Sequence, residues 1–129
     1  MNKQSTSRSD SSSMKRELIA LLRGGHAHVS FSAAVEDLPL KVVGAKPPGL
    51  PYSIWQLVEH IRIAQADILE FCRTPGYVSP KWPDDYWPVE AAPAHVSGWE
   101  KSLEEIHQDL DSFIALISDP AADMFTPFA

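Results

Sequence analysis

The histidines are the side chains of this sequence best suited to chemistry, and their spacing decides what that chemistry could be. His26 and His28 form an H-x-H pair that could chelate a metal on an extended segment. The adjacent Gly24-Gly25 predicts a helix break there, which favours a loop or capping role for the pair. His60 lies at the margin of the apolar face of a helical pattern, where an imidazole could bind zinc, nickel or iron. On the residues alone, a single histidine beside an apolar face is usually structural.

The other candidate groups favour structural roles. Cys72 lies on a predicted core face near the C-terminal end of a helix, whereas reactive thiolates favour helix N-termini and cationic neighbours, so an inert buried thiol is predicted. Asp67 lies roughly 10 Å along the helix axis from His60, which is too far for a direct partner. His95 and His107 are predicted to be ordinary surface histidines. The sequence shows no Ser/His/Asp order, phosphate-binding glycine loop or pair of catalytic carboxylates.

Residues 74–93 form a proline-rich segment with large aromatic side chains. Its five prolines exclude a helix or a central strand and predict an ordered surface loop pinned by its rings. Trp82, Tyr86 and Trp87 could line a substrate pocket. Rings spaced by prolines more often pack a loop onto its domain, so loop packing is the favoured interpretation.

Composition and charge limit the classes of function. A chain of 129 residues, 44% hydrophobic and 22% charged, is long enough for one globular domain with its own core. Residues 1–16 carry a net charge of +3, and the remaining 113 residues carry −9. An acidic body repels phosphate backbones, so no nucleic-acid partner is predicted. The serine-rich segment 1–13 is predicted to be a disordered, solvated tail rather than a nucleic-acid arm.

The sequence points to the cytoplasm. It has no run of about 18 to 20 apolar residues that could cross a bilayer, so no membrane partner is predicted. Its N-terminus lacks the basic start, apolar stretch and cleavage site of a secretory signal. The single cysteine cannot form an internal disulfide, so an oxidising compartment gains no support.

Helical periodicity begins at Met14 and is expected to stop at Gly24-Gly25. A short second piece is predicted over residues 30–38, closed by Pro39. Residues 39–52 contain four prolines and two glycines and are predicted to be a connecting loop.

A long helix is predicted over residues 54–73. Ser53 lies three residues before Gln56, which is the capping-box arrangement, and the sequence TPG at 74–76 ends the pattern. Gln65 falls inside the apolar arc of this helix and would need a buried hydrogen-bond partner. The arc is the predicted core face and comprises Ile54, Leu57, Val58, Ile61, Ala64, Ile68, Leu69, Phe71 and Cys72.

A last helix is predicted over residues 97–118, where Ser97 and Glu100 repeat the capping-box spacing. Two long helices and one broken helix, each with one wide apolar face, predict an all-α bundle. The apolar stripe of the last helix comprises Trp99, Leu103, Ile106, Leu110, Phe113 and Ile117.

Four segments together resemble a bacterial subgroup of the DinB/YfiT-like proteins. They are LLRGGHAH at 21–28, PGLP at 48–51, SIWQLVEHIRIAQ at 53–65 and WPDDYWP at 82–88. The resemblance extends from about Arg16 to Pro127. No single segment is as specific as a zinc-finger spacing, but their joint order makes chance agreement improbable.

The resemblance implies an up-down-down-up four-helix bundle with a divalent metal bound by three histidines near one end. One of these histidines matches His60, and the other two, spaced H-x-x-x-H, belong to a fourth helix. That helix would follow residues 123–127, whereas the chain ends at Ala129. The expectation is therefore a DinB-like domain over residues 14–129 that is C-terminally truncated, with three of four helices. Zinc, nickel or iron is implied for the family, and stable binding by this chain is not expected.

The sequence supports three hypotheses of function. The leading one is a catalytically incomplete relative of metal-dependent transferases, isomerases and hydrolases, with an unknown small-molecule substrate. The second is a helical interaction module whose uncovered apolar groove accepts a partner helix or a second copy of the chain. The third is an active enzyme whose missing metal ligands come from a partner chain.

Overall fold

All regular structure in the described part of the chain is helical. The computed structural model describes residues 3–24 and 29–125. A single 3₁₀ turn, Asp84–Tyr86, lies in the loop before the last helix. The predicted all-α class is therefore confirmed, whereas the up-down-down-up order stays a prediction. The five α-helices are α1 (Lys3–Arg23), α2 (Phe31–Val35), α3 (Leu40–Val43), α4 (Ile54–Arg73) and α5 (Val96–Ser118).

Helix α1 is longer than its sequence pattern predicts. Residues 3–13, for which the composition predicts disorder, continue the helix toward the N-terminus. Serine costs a helix only about 0.5 kcal/mol per residue relative to alanine, and extending a formed helix adds one hydrogen bond per residue fixed. The predicted C-terminal end is confirmed: the helix stops at Arg23, and Gly24 follows with φ 71°. Glycine adopts this left-handed conformation without steric cost.

Residues 30–52 contain two short helices, whereas the sequence predicts one short helix followed by a loop. Ser30 caps α2 by accepting a hydrogen bond from the Ala33 N–H at 3.2 Å, but α2 ends at Val35, before the predicted boundary. The prediction of a loop over the whole of residues 39–52 is wrong, because helix α3 starts directly after Pro39. Proline fixes φ near the helical value, and the fully buried Val43 holds this one turn against the core.

The capping box of α4 is confirmed. The Ser53 Oγ accepts from the Gln56 N–H, and the Gln56 Oε1 accepts from the Ser53 N–H, both at 3.1 Å. The similar box expected for α5 is wrong. Helix α5 begins at Val96 with His95 as its N-cap and no side-chain capping bond. Because the helix starts one residue early, Ser97 lies inside the first turn, where its hydroxyl is not in the capping position.

Helices α4 and α5 form the central pair, and α1 packs against α5. The N-terminal halves of α4 and α5 meet through Trp55 and Trp99, whose ring centroids are 6.3 Å apart. Phe31 and Leu38, from the segment before α4, pack against this core. The buried hydrophobic cluster comprises Val35, Val43, Val58, Trp99 and Ile106.

A buried ionic group crosses the interface between α4 and α5. Glu59 is 6% exposed and accepts hydrogen bonds from Arg62, with an Nη2 to Oε2 distance of 2.6 Å, and from the Ser102 hydroxyl. Arg62 also reaches Glu105 at 3.4 Å. The hydrogen bond to Glu59 raises the pKa of Arg62, an effect that burial opposes. The face of α4 that meets α5 is therefore partly charged.

The predicted core face of α4 is only partly correct. Val58 and Leu69 are buried, but Leu57, Ile61 and Ile68 are 42%, 43% and 53% exposed. Phe71, at 70% exposed, lies on the same outer face. Helix α4 packs on α5 through the opposite side, about 160° around the helix at 3.6 residues per turn. We call this outer apolar row the α4 seam; it consists of Leu57, Ile61, Ala64, Ile68 and Phe71.

Candidate functional site

The loop between α4 and α5 fixes the ring of His60. The His60 Nδ1 lies 2.9 Å from the carbonyl oxygen of Tyr86. A carbonyl oxygen can only accept, so Nδ1 carries a proton, and the tautomer with this proton has its other lone pair on Nε2. Histidines that bind metals commonly donate their second ring nitrogen to a backbone carbonyl in this way.

Aromatic stacking fixes the plane of the same ring. Trp87 stacks on His60 with centroids 3.9 Å apart and planes inclined by 7°. Tyr52 stacks on Trp87 at 4.2 Å and 13°, which produces a row of three rings. Trp82 lies 6.0 Å from the His60 ring at an inclination of 58°. The imidazole is therefore ordered by the chain itself.

The start of α4 ties the loop down. The Ser53 hydroxyl, besides capping the helix, donates to the Ala91 carbonyl oxygen at 2.5 Å. One turn later, the Gln56 Nε2 donates to the Pro88 carbonyl oxygen at 3.3 Å. The two capping residues thus also position the aromatic loop over His60.

Tyr86 connects His60 with Asp67. Its carbonyl oxygen faces His60, and its hydroxyl donates to the Asp67 Oδ2 at 2.5 Å. The sequence predicts that Asp67 is too far from His60 for a direct contact, and it does not predict this bridge through Tyr86. Tyr86 is buried, so its two contacts hold the 3₁₀ turn onto α4.

The carboxylate of Asp67 is stabilised in its charged form. Burial opposes its ionisation, but hydrogen bonding from Tyr86, with further contributions from the hydroxyls of Ser79 and Tyr77, lowers its pKa below the ordinary 3.8. Only the Tyr86 contact has full hydrogen-bond geometry. The same bond raises the pKa of the Tyr86 hydroxyl. The pair is most stable as a neutral phenol donating to a carboxylate.

The described residues do not form a complete metal site around His60. Within residues 3–24 and 29–125, no group of three or more His, Cys, Asp or Glu side chains could hold a metal ion. His26 and His28 lie outside the described residues. A catalytic zinc normally takes three protein ligands, so one imidazole does not fit that requirement.

The other polar candidates lie apart from His60. Cys72, predicted to be buried, is only half-buried near the end of α4. His95 and His107 are exposed, and His107 contacts Phe31 edge to face at 6.4 Å. The Gln65 Oε1 is buried and has no hydrogen-bond partner in the described part of the chain.

The aromatic loop divides into packing rings and an exposed ring. Tyr86 is buried and Trp87 half-buried, in agreement with loop packing, whereas Trp82 is 69% exposed. Tyr52, which completes the ring stack, is a site residue that the sequence analysis missed. Its place directly before the cap Ser53 was the available signal, because the start of a capped helix fixes the direction of the preceding residue.

Comparison with protein-family models, curated proteins and solved structures gave no match. Among the helices of the described ranges, none combines the length and apolar character needed to cross a membrane.

Proposed function

We propose that this chain is a DinB-like helical-bundle domain, related to metal-dependent transferases and hydrolases, that does not complete a catalytic centre with its described residues. The observation that supports the proposal is the orientation of His60. Its Nδ1–H is committed to the Tyr86 carbonyl, which leaves the Nε2 lone pair as the available ligand atom. This is the arrangement expected at a ligand position inherited from such a family.

One such nitrogen is insufficient to retain a divalent metal. Zinc, nickel or iron would need at least two further protein ligands, which a partner chain could supply. The substrate class stays that of the family, a small molecule of unspecified structure. The proposed DinB-like domain thus contributes one oriented histidine ligand, His60, and the aromatic side chains Trp82 and Trp87 beside it.

Calorimetric titration with zinc or nickel tests the incomplete site. We expect no stoichiometric binding at micromolar metal, and no difference between the natural protein and a His60→Ala variant. His107→Ala is the matched control, since His107 is exposed and lies away from Tyr86 and Trp87. Tight one-to-one binding that His60→Ala abolishes and His107→Ala retains would contradict the proposal and indicate a complete site.

A second candidate function is a helical interaction module that works through the α4 seam. The observation in its favour is the exposure of four large apolar side chains on one face of a helix. Leaving on the order of 400 Å² of such surface in water forgoes on the order of 10 kcal/mol at ~25 cal/mol per Å². An exposed apolar face of this extent favours association with a partner.

A further inference from the structure

We propose that the α4 seam is the contact between two copies of this chain, with the two α4 helices antiparallel about a two-fold axis near Ala64. The proposal rests on the second candidate function and specifies its partner. It concerns a surface on the side of α4 opposite α5, formed by side chains that the His60 region does not use.

The spacing of the seam is that of a helix-pairing surface. Its residues follow one another at intervals of four, three, four and three, which is the alternation of the two core positions in a heptad repeat. A row of this kind stays on one side of a helix over about 21 Å, at 1.5 Å per residue. Scattered apolar exposure would not maintain this spacing for four intervals.

The order of side-chain sizes makes the seam complementary to itself. Read from either end, the seam has two large side chains, then the small Ala64 in the centre, then two large side chains. A two-fold axis at Ala64 therefore lets the two backbones approach closely at the centre. In that arrangement Leu57 lies near Phe71 of the second copy, and Ile61 near Ile68. A symmetric dimer needs such an isologous surface.

Charge does not oppose the pairing of two acidic chains at this face. The net charge is −6, yet the charged residues Glu59, Arg62 and Glu70 lie on the far side of α4 from the seam. Asp67 flanks the seam, but its carboxylate accepts from the Tyr86 hydroxyl. Antiparallel helices also oppose their macrodipoles, which favours this orientation over the parallel one.

The area of the seam predicts a reversible dimer. Covering it removes on the order of 400 Å² per copy, about half of the ~800 Å² per partner in a standard specific interface. The exposed Trp82 lies beside His60 at the margin of the seam and would add to that area. We therefore expect a dimer whose population depends on concentration in the micromolar range.

Sedimentation equilibrium of the full chain tests the surface. We expect a monomer–dimer equilibrium whose dissociation constant rises at least ~30-fold in Ile61→Asp and in Ile68→Asp, as for central interface residues. Val89→Asp is the matched control, because Val89 is 91% exposed in the loop, and its dissociation constant should be unchanged. A monomer throughout, or a dimer that both seam variants retain, would overturn the proposal.

Cysteine cross-linking tests the orientation without destabilising charges. In a Cys72→Ser background, Ala64→Cys should form an intermolecular disulfide on mild oxidation, because a two-fold axis brings residue 64 of each copy together. Leu57→Cys should not, since the antiparallel pair separates these positions by about 21 Å. Cross-linking of Leu57→Cys, or none at Ala64→Cys, would overturn the antiparallel pairing.

Binding of the dye ANS separates failure of this pairing from failure of the interaction module. If the natural protein is a monomer that binds the dye, and Ile68→Ser abolishes the dye binding while Val89→Ser does not, self-pairing is contradicted. The α4 seam then remains an uncovered surface for another partner. A monomer that binds no dye contradicts the module as well. The calorimetric test at His60 is independent of both outcomes.

Discussion

The backbone carbonyl of Tyr86 decides which nitrogen of His60 is available. Sequence alone places His60 on α4 and leaves its role open, because the deciding acceptor lies 26 residues later in a loop. The ring of Trp87 stacks on the face of the same imidazole. The contacts of Tyr86 with His60 and Asp67 join positions far apart in the sequence, which explains why this bridge was not predicted.

The hydrogen bond between Tyr86 and Asp67 should make stability depend on pH. The folded state lowers the pKa of Asp67, so its contribution is present above the ordinary value of 3.8 and is lost as the pH falls through the lower folded value. We expect Asp67→Asn to be less stable than the natural protein at neutral pH. The difference should shrink below about pH 4.

Urea unfolding at a series of pH values measures this difference. Asp84→Asn is a suitable control, because Asp84 is exposed at the start of the 3₁₀ turn. Its midpoint should follow that of the natural protein at every pH. A gap between Asp67→Asn and the natural protein that stays constant down to pH 2 would contradict the assigned role of the carboxylate.

The Ser53 hydroxyl has two roles in helix α4. It accepts from the Gln56 N–H as the cap, and it donates to the Ala91 carbonyl as the anchor of the aromatic loop. Ser53→Ala should therefore lower the free energy of unfolding by about 2 kcal/mol, the upper end for loss of a cap, since the side chain is fully buried. Denaturant unfolding gives the value directly.

Ser97→Ala provides the comparison within the same protein. Ser97 has the same sequence spacing but lies inside the first turn of α5, exposed and not at the N-cap. Its substitution should change stability by less than about 0.5 kcal/mol. If Ser53→Ala and Ser97→Ala lowered the free energy of unfolding equally, the assignment of a capping role to Ser53 but not to Ser97 would be contradicted.

Sequence patterns predicted the long helices better than their surroundings. The Ser53–Gln56 spacing located the start of α4 and the apolar stripe located α5, because capping and periodicity are local properties. The same periodicity could not tell Val58 from Leu57, although one is buried and the other exposed. An apolar arc shows which residues avoid water, whereas the neighbouring helix decides which of them it covers.

Polar and apolar side chains are distributed unusually around α4. The charged Glu59 and Arg62 lie between α4 and α5, while the α4 seam lies in water. A shorter apolar row on α1, formed by Met14, Leu18 and Leu21, is also exposed. Both rows expose apolar surface of the kind that helical bundles normally cover.

Thermal melting, combined with light scattering across a roughly hundredfold range of protein concentration, tests most directly whether the α4 seam needs a partner. If a second copy covers the seam, mass action stabilises the folded dimer, and the melting temperature should rise with concentration. Light scattering should show a shift from monomer toward dimer over the same range. A monodisperse monomer that melts cooperatively above about 60 °C, independently of concentration, would contradict this account and show that the described helices are stable alone.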